Sequence, residues 1–562
     1  MAKNRPAMTR ILALLSVSIA TASTASTAST AALAAPVTPT VKTDSGPVTG
    51  IQSPDGLWVF KGIPYAAPPV GALRWKPPTP PAHWTEVRHA TDFGPACVQP
   101  KSTPTNIYAD DPPRMDEDCL YLNVWKPAQA HKAPVMVWIH GGALNNGNPA
   151  SSIYSGKHLA EHGVVVVSIN YRLGILGYLA HPELSAESPR HVSGNYGLQD
   201  QIAALRWVQA NIAAFGGDPG NVTIFGESAG ALSVMDLLAS PPARGLFAKA
   251  LSESGYMVAN PELRNSRYGL PSAEAVGLMT AKALKANNIA DLRAIDALAL
   301  VKASAAGGFI PLPNVDGWLL PDQLVEIFDR GEQAHVPLLV GFNAGELRSL
   351  RGLLPPIPKT SADYASTVKS RFADLSTAYL KQYPSDDVPN SVLAASRDGL
   401  YGWTAQRMAL KQTAVGQPAY LYFFSHAYPS ERPLDLEAFH ASEIPFVFGL
   451  VGSDSELPVN WPRPPDTAAE RALSNAMMDY WTSFARTGVP SSDAAPAWKP
   501  FSASESYMEF RDAPVASTHL LPGMYVLTEE LIHRRRAAAD QYWFTNIGLA
   551  TPPVKPASAA PK

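Results

Sequence analysis

The stretch from Val222 to Val234, VTIFGESAGALSV, constrains this chain more than any other. An apolar, β-branched run leads into Gly226, Glu227, Ser228, Ala229 and Gly230, and a helix-forming run from Ala229 to Ala239 follows. A strand that passes into a helix across one residue must turn sharply there. The crowding of that turn explains glycine at 226 and 230, where a Cβ would meet neighbouring chain. The same turn leaves the Ser228 hydroxyl exposed, with the positive end of the following helix beside it. A G-x-S-x-G string alone is a weak signal. The strand before it and the helix after it make Ser228 a candidate nucleophile rather than a small residue filling a turn.

A serine hydroxyl is a poor nucleophile at neutral pH. It needs a histidine to take its proton and a carboxylate to fix the imidazole tautomer. With a nucleophile on this kind of turn, the acid and then the histidine follow later in the chain. The string HVPLLVGFNAGELRSL carries an apolar run from Val336 to Phe342 with Glu346 just beyond it, so Glu346 is the candidate acid. Asp316 and Asp322 lack a comparable strand before them. His426, His440, His519 and His533 follow Glu346. His440, in AFHASEIPFVFG, stands on a loop before an apolar segment and is the candidate base, whereas His426 directly follows the strand-like YLYFF and His533 opens a basic run. Geometry decides which imidazole reaches Ser228. Upstream, WIHGGALNNG ends a strand in Gly141, Gly142 and Ala143, whose small side chains let a substrate approach backbone N–H groups. Gly142, Ala143 and Ala229 are the candidate oxyanion donors.

The strings APVMVWIHGG, GVVVVSINYR and NVTIFGES each carry a short apolar run ending in glycine or a polar residue, the pattern of strands buried on both faces of a parallel sheet. Between the last two, GLQDQIAALRWVQANIAAFGG reads as a helix stopped by glycine. This β-α-β alternation places the chain in the α/β class. Tyr364, Val368, Phe372, Leu375 and Tyr379 recur at helical spacing, as do Val276, Met279, Ala283 and Leu284, and both sets are read as packing faces. The 53 prolines ask for long ordered surface connections. No repeat of solenoid or propeller period occurs. A length of 562 residues would allow several domains, but a site drawing on positions 142, 228, 346 and 440 requires one large one.

At the N-terminus, Lys3, Arg5 and Arg10 precede the apolar run Ile11 to Ala20, and Ala32 and Ala34 offer a small-x-small cleavage site. Residues 1–34 therefore read as a secretory leader; the apolar run is too short for a membrane anchor. Residues 35–548 are expected to form a single domain and residues 549–562 a disordered tail. Removing the leader would take the formal net charge from −3 to −6, which makes nucleic acid and anionic membrane poor partners. The basic run from His533 to Arg536 has no interleaved aromatics and reads as a solvated face. In an oxidising compartment Cys97 and Cys119 can pair; two buried thiols are the alternative. No CxxC or Cys/His cluster points to a metal.

Together these strings resemble the type-B carboxylesterase family, which includes bacterial para-nitrobenzyl-type esterases and the cholinesterases. The similarity runs from about Val41 to Phe501 and rests on FKGIPYAAPPVGALRW, DEDCLYLNVW, FGGDPGNVTIFGESAG, HASEIPFVFG and YWTSFARTGVPS. The resemblance implies an α/β-hydrolase fold, with a large, mostly parallel central sheet and helices on both faces. It implies hydrolysis of small-molecule carboxylic esters through an acyl-enzyme, with no cofactor. Ser228 would be the nucleophile, Glu346 the acid, His440 the base, and Gly142, Ala143 and Ala229 the oxyanion donors, with a Cys97–Cys119 disulfide. The chain departs from the family at Ala143 and Leu144, where many relatives have glycine and an aromatic, so the pocket wall is expected to differ. It also has Leu347 where many have glycine after the acid. Between the cysteines stands no tryptophan, only Tyr108, so a cation–π site for quaternary ammonium is unsupported. The Gly141 to Leu144 string also resembles the oxyanion loops of esterases that accept esters of tertiary alcohols. Two alternatives stay open here: a non-catalytic binding protein on the same fold, or a serine hydrolase of amides, thioesters or lactones. The walls of the substrate gorge are expected from irregular segments between Glu346 and His440 and around Gly307 to Trp318, and oligomeric state is not legible.

Overall fold

The computed structural model describes residues 39–452, 456–538 and 548–555. An eleven-stranded sheet runs through it. Its strands are β1 (Ile51–Gln52), β2 (Trp58–Pro64), β3 (Tyr121–Lys126), β4 (Ala133–Ile139), β5 (Val165–Ile169), β6 (Gly217–Glu227), β7 (Lys249–Glu253), β8 (Leu338–Asn343), β9 (Ala419–Phe424), β10 (Ser506–Phe510) and β11 (Pro514–Thr518). The spatial order is β1-β2-β3-β5-β4-β6-β7-β8-β9-β10-β11. From β5 to β10 neighbouring strands are parallel. Antiparallel pairs finish both edges: β3 on β5, β2 on β3, β1 on β2, and β11 on β10. This is the α/β-hydrolase arrangement.

The runs read as doubly buried strands are so. In β4, Val135, Val137 and Ile139 enter the apolar core on one side of the sheet while Met136 and Trp138 enter the core on the other. Such a strand has no polar face to show, so its sequence is continuously apolar. Helix α1 (Tyr196–Asn211) carries the chain from β5 to β6 and ends, after a 3-10 turn, at Gly216 with φ 83°. Because β6 lands on the far side of β4 from β5, the strand order reverses there, and the crevice outside the carboxyl ends of β4 and β6 is where such a sheet places its site. Helix α2 (Ala229–Ala239) follows β6 directly and is buried along its whole length.

Of the two proposed packing faces one is displaced. In α3 (Ala273–Ala283) the buried positions are Ala273, Gly277 and Ala281, and Met279 is 55% exposed. The reason is Gly277: its missing Cβ lets the helix lie against the Ala180 carbonyl, which turns the larger side chains outward. The other face holds. Helices α4 (Ser361–Phe372) and α5 (Ser376–Gln382), joined by a turn at Ala373, bury Tyr364, Val368, Phe372 and Tyr379, with Leu375 partly buried. Helices α6 (Val388–Arg397) and α7 (Trp403–Ala414) follow, so the segment between Glu346 and His440 is largely helical rather than irregular. Helices α8 (Ala468–Thr487) and α9 (Met524–Ala538) complete the long elements.

Cys97 and Cys119 form a disulfide. The expected leader lies outside the described residues. The tail does not begin at 549 as expected: Leu549 and Val554 are buried against α4 and α6, and the Val554 N–H donates to the Arg371 carbonyl at 2.7 Å. No helix among the described residues is long and apolar enough to cross a membrane.

Candidate active site

Strand β6 ends at Glu227, and Ser228 takes φ 56° and ψ −120° before α2 begins. That backbone region costs a residue with a Cβ about 1–3 kcal/mol and persists only where the surroundings enforce it. Here the Ser228 N–H donates to the Glu253 carbonyl and its own carbonyl accepts from the Leu232 N–H, both at 2.9 Å. A Cβ on Gly226 would lie 2.6 Å from the Ile139 carbonyl oxygen, and one on Gly230 would overlap the same atom. The two glycines therefore let β4 and α2 close on each other with the serine held between them and solvent.

The loop after β4 passes over that serine: an added Cβ on Gly141 would stand 3.2 Å from the Ser228 Cβ. Gly142, Ala143 and Leu144 have φ values of 102°, 55° and 57°, and the Gly142 carbonyl accepts from the Asn145 and Asn146 N–H groups. Gly142 and Ala143 are exposed. Leu144, expected to form pocket wall, is instead 2% exposed and packs into the core; the positive φ at 143 and 144 reverses the chain and swings its side chain inward. His140 braces the start of the loop. Its ring stacks on Tyr171 at 4.5 Å, the Tyr171 hydroxyl donates to the His140 carbonyl at 2.7 Å, and His140 Nδ1 lies 2.9 Å from the Gly141 carbonyl. Burial pushes this imidazole down to about 4, so it stays neutral.

Glu346 stands just past β8, fully buried. The Asn343 N–H donates to its Oε1 at 2.8 Å. Gly345 pairs with Phe439 in a single parallel bridge, and the Asn343 amide donates to the Phe439 carbonyl at 2.8 Å, which ties the loop after β8 to the loop carrying His440. His440 then spans the gap: Nδ1 lies 2.5 Å from Glu346 Oε2 and Nε2 lies 2.8 Å from Ser228 Oγ. The three residues singled out in sequence converge in space. The competing candidates are engaged elsewhere. His426 lies between Glu470 at 2.8 Å and Asp512 at 3.2 Å. Asp316 accepts from the Trp318, Leu319 and Leu320 N–H groups, Asp322 pairs with Arg330, and His519 and His533 are exposed.

Several neighbours escaped the sequence reading. The Tyr108 hydroxyl lies 2.8 Å from the His440 carbonyl oxygen and 2.7 Å from Ser349 Oγ, so the disulfide-closed loop reaches the base. The Tyr401 ring packs on the imidazole with centroids 5.3 Å apart, from a π-helical turn between α6 and α7. Such turns push a residue out of the helical register and are frequent at functional sites. Opening the Cys97–Cys119 loop by serine at both positions is expected to lower stability by about 3 kcal/mol in the chain-entropy view. It should also lower kcat, because the loop holding Tyr108 loosens; urea titration alongside ester assays checks both.

Three more buried carboxyls surround the site. Glu227 Oε1 is 3.1 Å from His440 Nε2, Glu443 accepts from the Asn343 amide, and Glu253 accepts from the Trp481 indole at 3.1 Å. Burial, then the charges of Glu346 and Glu253, raises Glu227 well above the usual carboxyl range. Burial, then Glu227, Glu253 and Glu346, does the same for Glu443. Burial pushes Glu253 up to about 8, against the opposing indole hydrogen bond. In a low dielectric four neighbouring carboxyls cannot all ionise. Folded Glu253 keeps its proton up to about pH 8 while the unfolded chain sheds it near the ordinary 4.5, so the folded state loses stability as pH rises through that window. Glu253→Gln removes this slope: urea titrations should show the variant gaining on wild type between pH 6 and pH 9.

A turn-borne serine, a histidine bridging it to a carboxylate, and a glycine-rich loop overhead on an α/β-hydrolase sheet define a serine hydrolase. The chain belongs to the carboxylesterase family, whose profile matches residues 37–525. It is 37% identical over 477 residues to the fumonisin B1 esterase of Sphingopyxis macrogoltabida, covering 83% of this chain and 85% of that one. It is 36% identical over 462 residues to the para-nitrobenzyl esterase of Bacillus subtilis, covering 81% and 91%. A solved para-nitrobenzyl esterase structure superposes with a TM-score of 0.74 at 32% identity, covering 87% of this chain and 99% of that one. The protein is a carboxylic ester hydrolase, which removes the reading as a non-catalytic binding protein.

Proposed function

We propose that Ser228 Oγ attacks the acyl carbon of an ester while His440 Nε2 takes the hydroxyl proton and passes it to the departing alcohol. Glu346 fixes the Nδ1–H tautomer and stabilises the imidazolium. The N–H groups of Gly142, Ala143 and Ala229 hold the oxyanion of the tetrahedral intermediate; Ala229 opens α2, where its N–H has no intrahelical acceptor. Water then releases the acyl-enzyme with His440 again as base. The observation that carries this reading is the imidazole spanning Ser228 Oγ at 2.8 Å and Glu346 Oε2 at 2.5 Å. Burial raises the Glu227 and Glu443 carboxyls well above the usual range, and it is Glu346 whose Oε2 lies against His440 Nδ1.

The substrates proposed are small-molecule carboxylic esters, as the relatives' names support. Gly142 and Ala143 carry no bulky side chain at the mouth of the site, which supports acceptance of esters of tertiary alcohols as well. The leader pattern at residues 1–34 and the disulfide support an exported protein. Hydrolysis of para-nitrophenyl esters from acetate to palmitate, beside the matched para-nitroanilides, tests the substrate class. Ester turnover should far exceed anilide turnover; the reverse would overturn the ester reading in favour of an amidase.

A further inference from the structure

The run from His533 to Arg536, expected as a solvated face, divides. Arg534 pairs with Asp374 and with Glu530, both at 2.7 Å, and Arg536 pairs with Glu326 at 2.8 Å and Asp329 at 2.9 Å. Arg535 points the other way, from α9 into the core that α9 forms with α4, α5 and α6, and is 1% exposed. None of its Nε, Nη1 and Nη2 atoms has a hydrogen-bond partner among the described residues. Burial lowers its pKa to about 10, with Tyr379 as the neighbour that opposes the shift. A guanidinium does not give up its proton at neutral pH, so the charge persists.

Two buried hydroxyls on the helices packed there are also without hydrogen-bond partners among the described residues: Tyr379 on α5, the electrostatic neighbour of Arg535, and Ser396 on α6. They are close to each other, since an added Cβ on Gly548 would stand 3.2 Å from Ser396 Oγ and 3.6 Å from the Tyr379 oxygen. Asp398, whose charge reaches Tyr379, is already engaged by Arg397 at 2.7 Å and the Tyr383 hydroxyl at 3.0 Å. A buried, uncompensated charge destabilises a fold by several kcal/mol, and unpaired buried hydroxyls add to that cost. Three buried polar side chains from three packed helices are thus left without hydrogen-bond partners among the described residues.

We propose that α5, α6 and α9 build a binding site for one small monovalent anion, of halide or formate size, held by the Arg535 guanidinium and the Tyr379 and Ser396 hydroxyls. Anion binding is then linked to folding: only the folded chain assembles the site, so stability rises with anion concentration. The experiment is thermal unfolding of the full mature chain in sodium chloride against sodium gluconate at matched ionic strength. Above the dissociation constant, Tm should rise by about 1–2 °C per tenfold chloride, as expected for a domain of this size, and gluconate should not reproduce the rise. Tyr379→Phe should weaken the dependence, and Arg535→Met should abolish it and leave the protein less impaired in chloride-free buffer. A crystal grown in sodium bromide should show an anomalous peak within hydrogen-bond distance of the Arg535 guanidinium. Equal Tm values in chloride and gluconate, a chloride response that survives Tyr379→Phe and Arg535→Met, or no bromide at Arg535 would overturn the site.

Discussion

Ser228→Ala is expected to lower kcat/KM on para-nitrophenyl butyrate by about 10⁴–10⁶-fold while leaving the fold intact. The change removes one oxygen. Alanine keeps the Cβ, so the backbone at φ 56° is no more strained than before, and both backbone hydrogen bonds of residue 228 survive. What is lost is the atom 2.8 Å from His440 Nε2, and with it the covalent route. The residual rate is what the oxyanion donors and binding supply without a nucleophile. Thermal unfolding within a few degrees of wild type, together with the activity loss, separates this from a folding defect.

Glu346→Gln is expected to lower kcat by about 10³–10⁴-fold with a much smaller change in KM. The substitution preserves shape and reverses hydrogen-bond polarity at one atom. Glu346 accepts twice, from the Asn343 N–H at Oε1 and from His440 at Oε2. A glutamine has one oxygen, so if that oxygen serves Asn343, its amide N–H faces His440 Nδ1. The imidazole then carries its proton on Nε2, pointing at Ser228, and cannot act as base. The alternative rotamer sets the amide against the Asn343 N–H and opens the turn that holds the acid. A loss confined to KM, measured by stopped-flow acylation with para-nitrophenyl acetate, would argue that Glu346 only shapes the pocket.

The motif that made the serine legible is local: strand, turn, glycines and helix all fall within one stretch, and steric crowding there leaves few alternatives. Glu346 was legible because the run from Val336 to Phe342 is apolar and ends abruptly just before it. His440 rested on less, since four histidines follow the acid and only the bridge between Gly345 and Phe439 shows which loop folds back. Tyr108 and Tyr401 were not legible as neighbours of the base, because each arrives from far away in the chain and their contacts depend on where the disulfide loop and a π-helical turn come to rest. The misplaced face of α3 has a similar origin: a periodic pattern counts large side chains, whereas Gly277 packs by having none. Arg535 shows the limit of reading charge runs, since adjacent arginines on a helix point in different directions, and only packing shows which one faces inward.

A covalent intermediate on Ser228 can be trapped by an organophosphate that labels the nucleophilic serine. The mature chain is treated with diethyl para-nitrophenyl phosphate, and both residual esterase activity and the mass of each peptide are followed. One diethylphosphoryl group per chain is expected on the peptide containing Ser228, appearing in step with the loss of activity and absent from Ser228→Ala. Inactivation with the label on another residue, or full activity in a chain whose Ser228 is labelled, would contradict it.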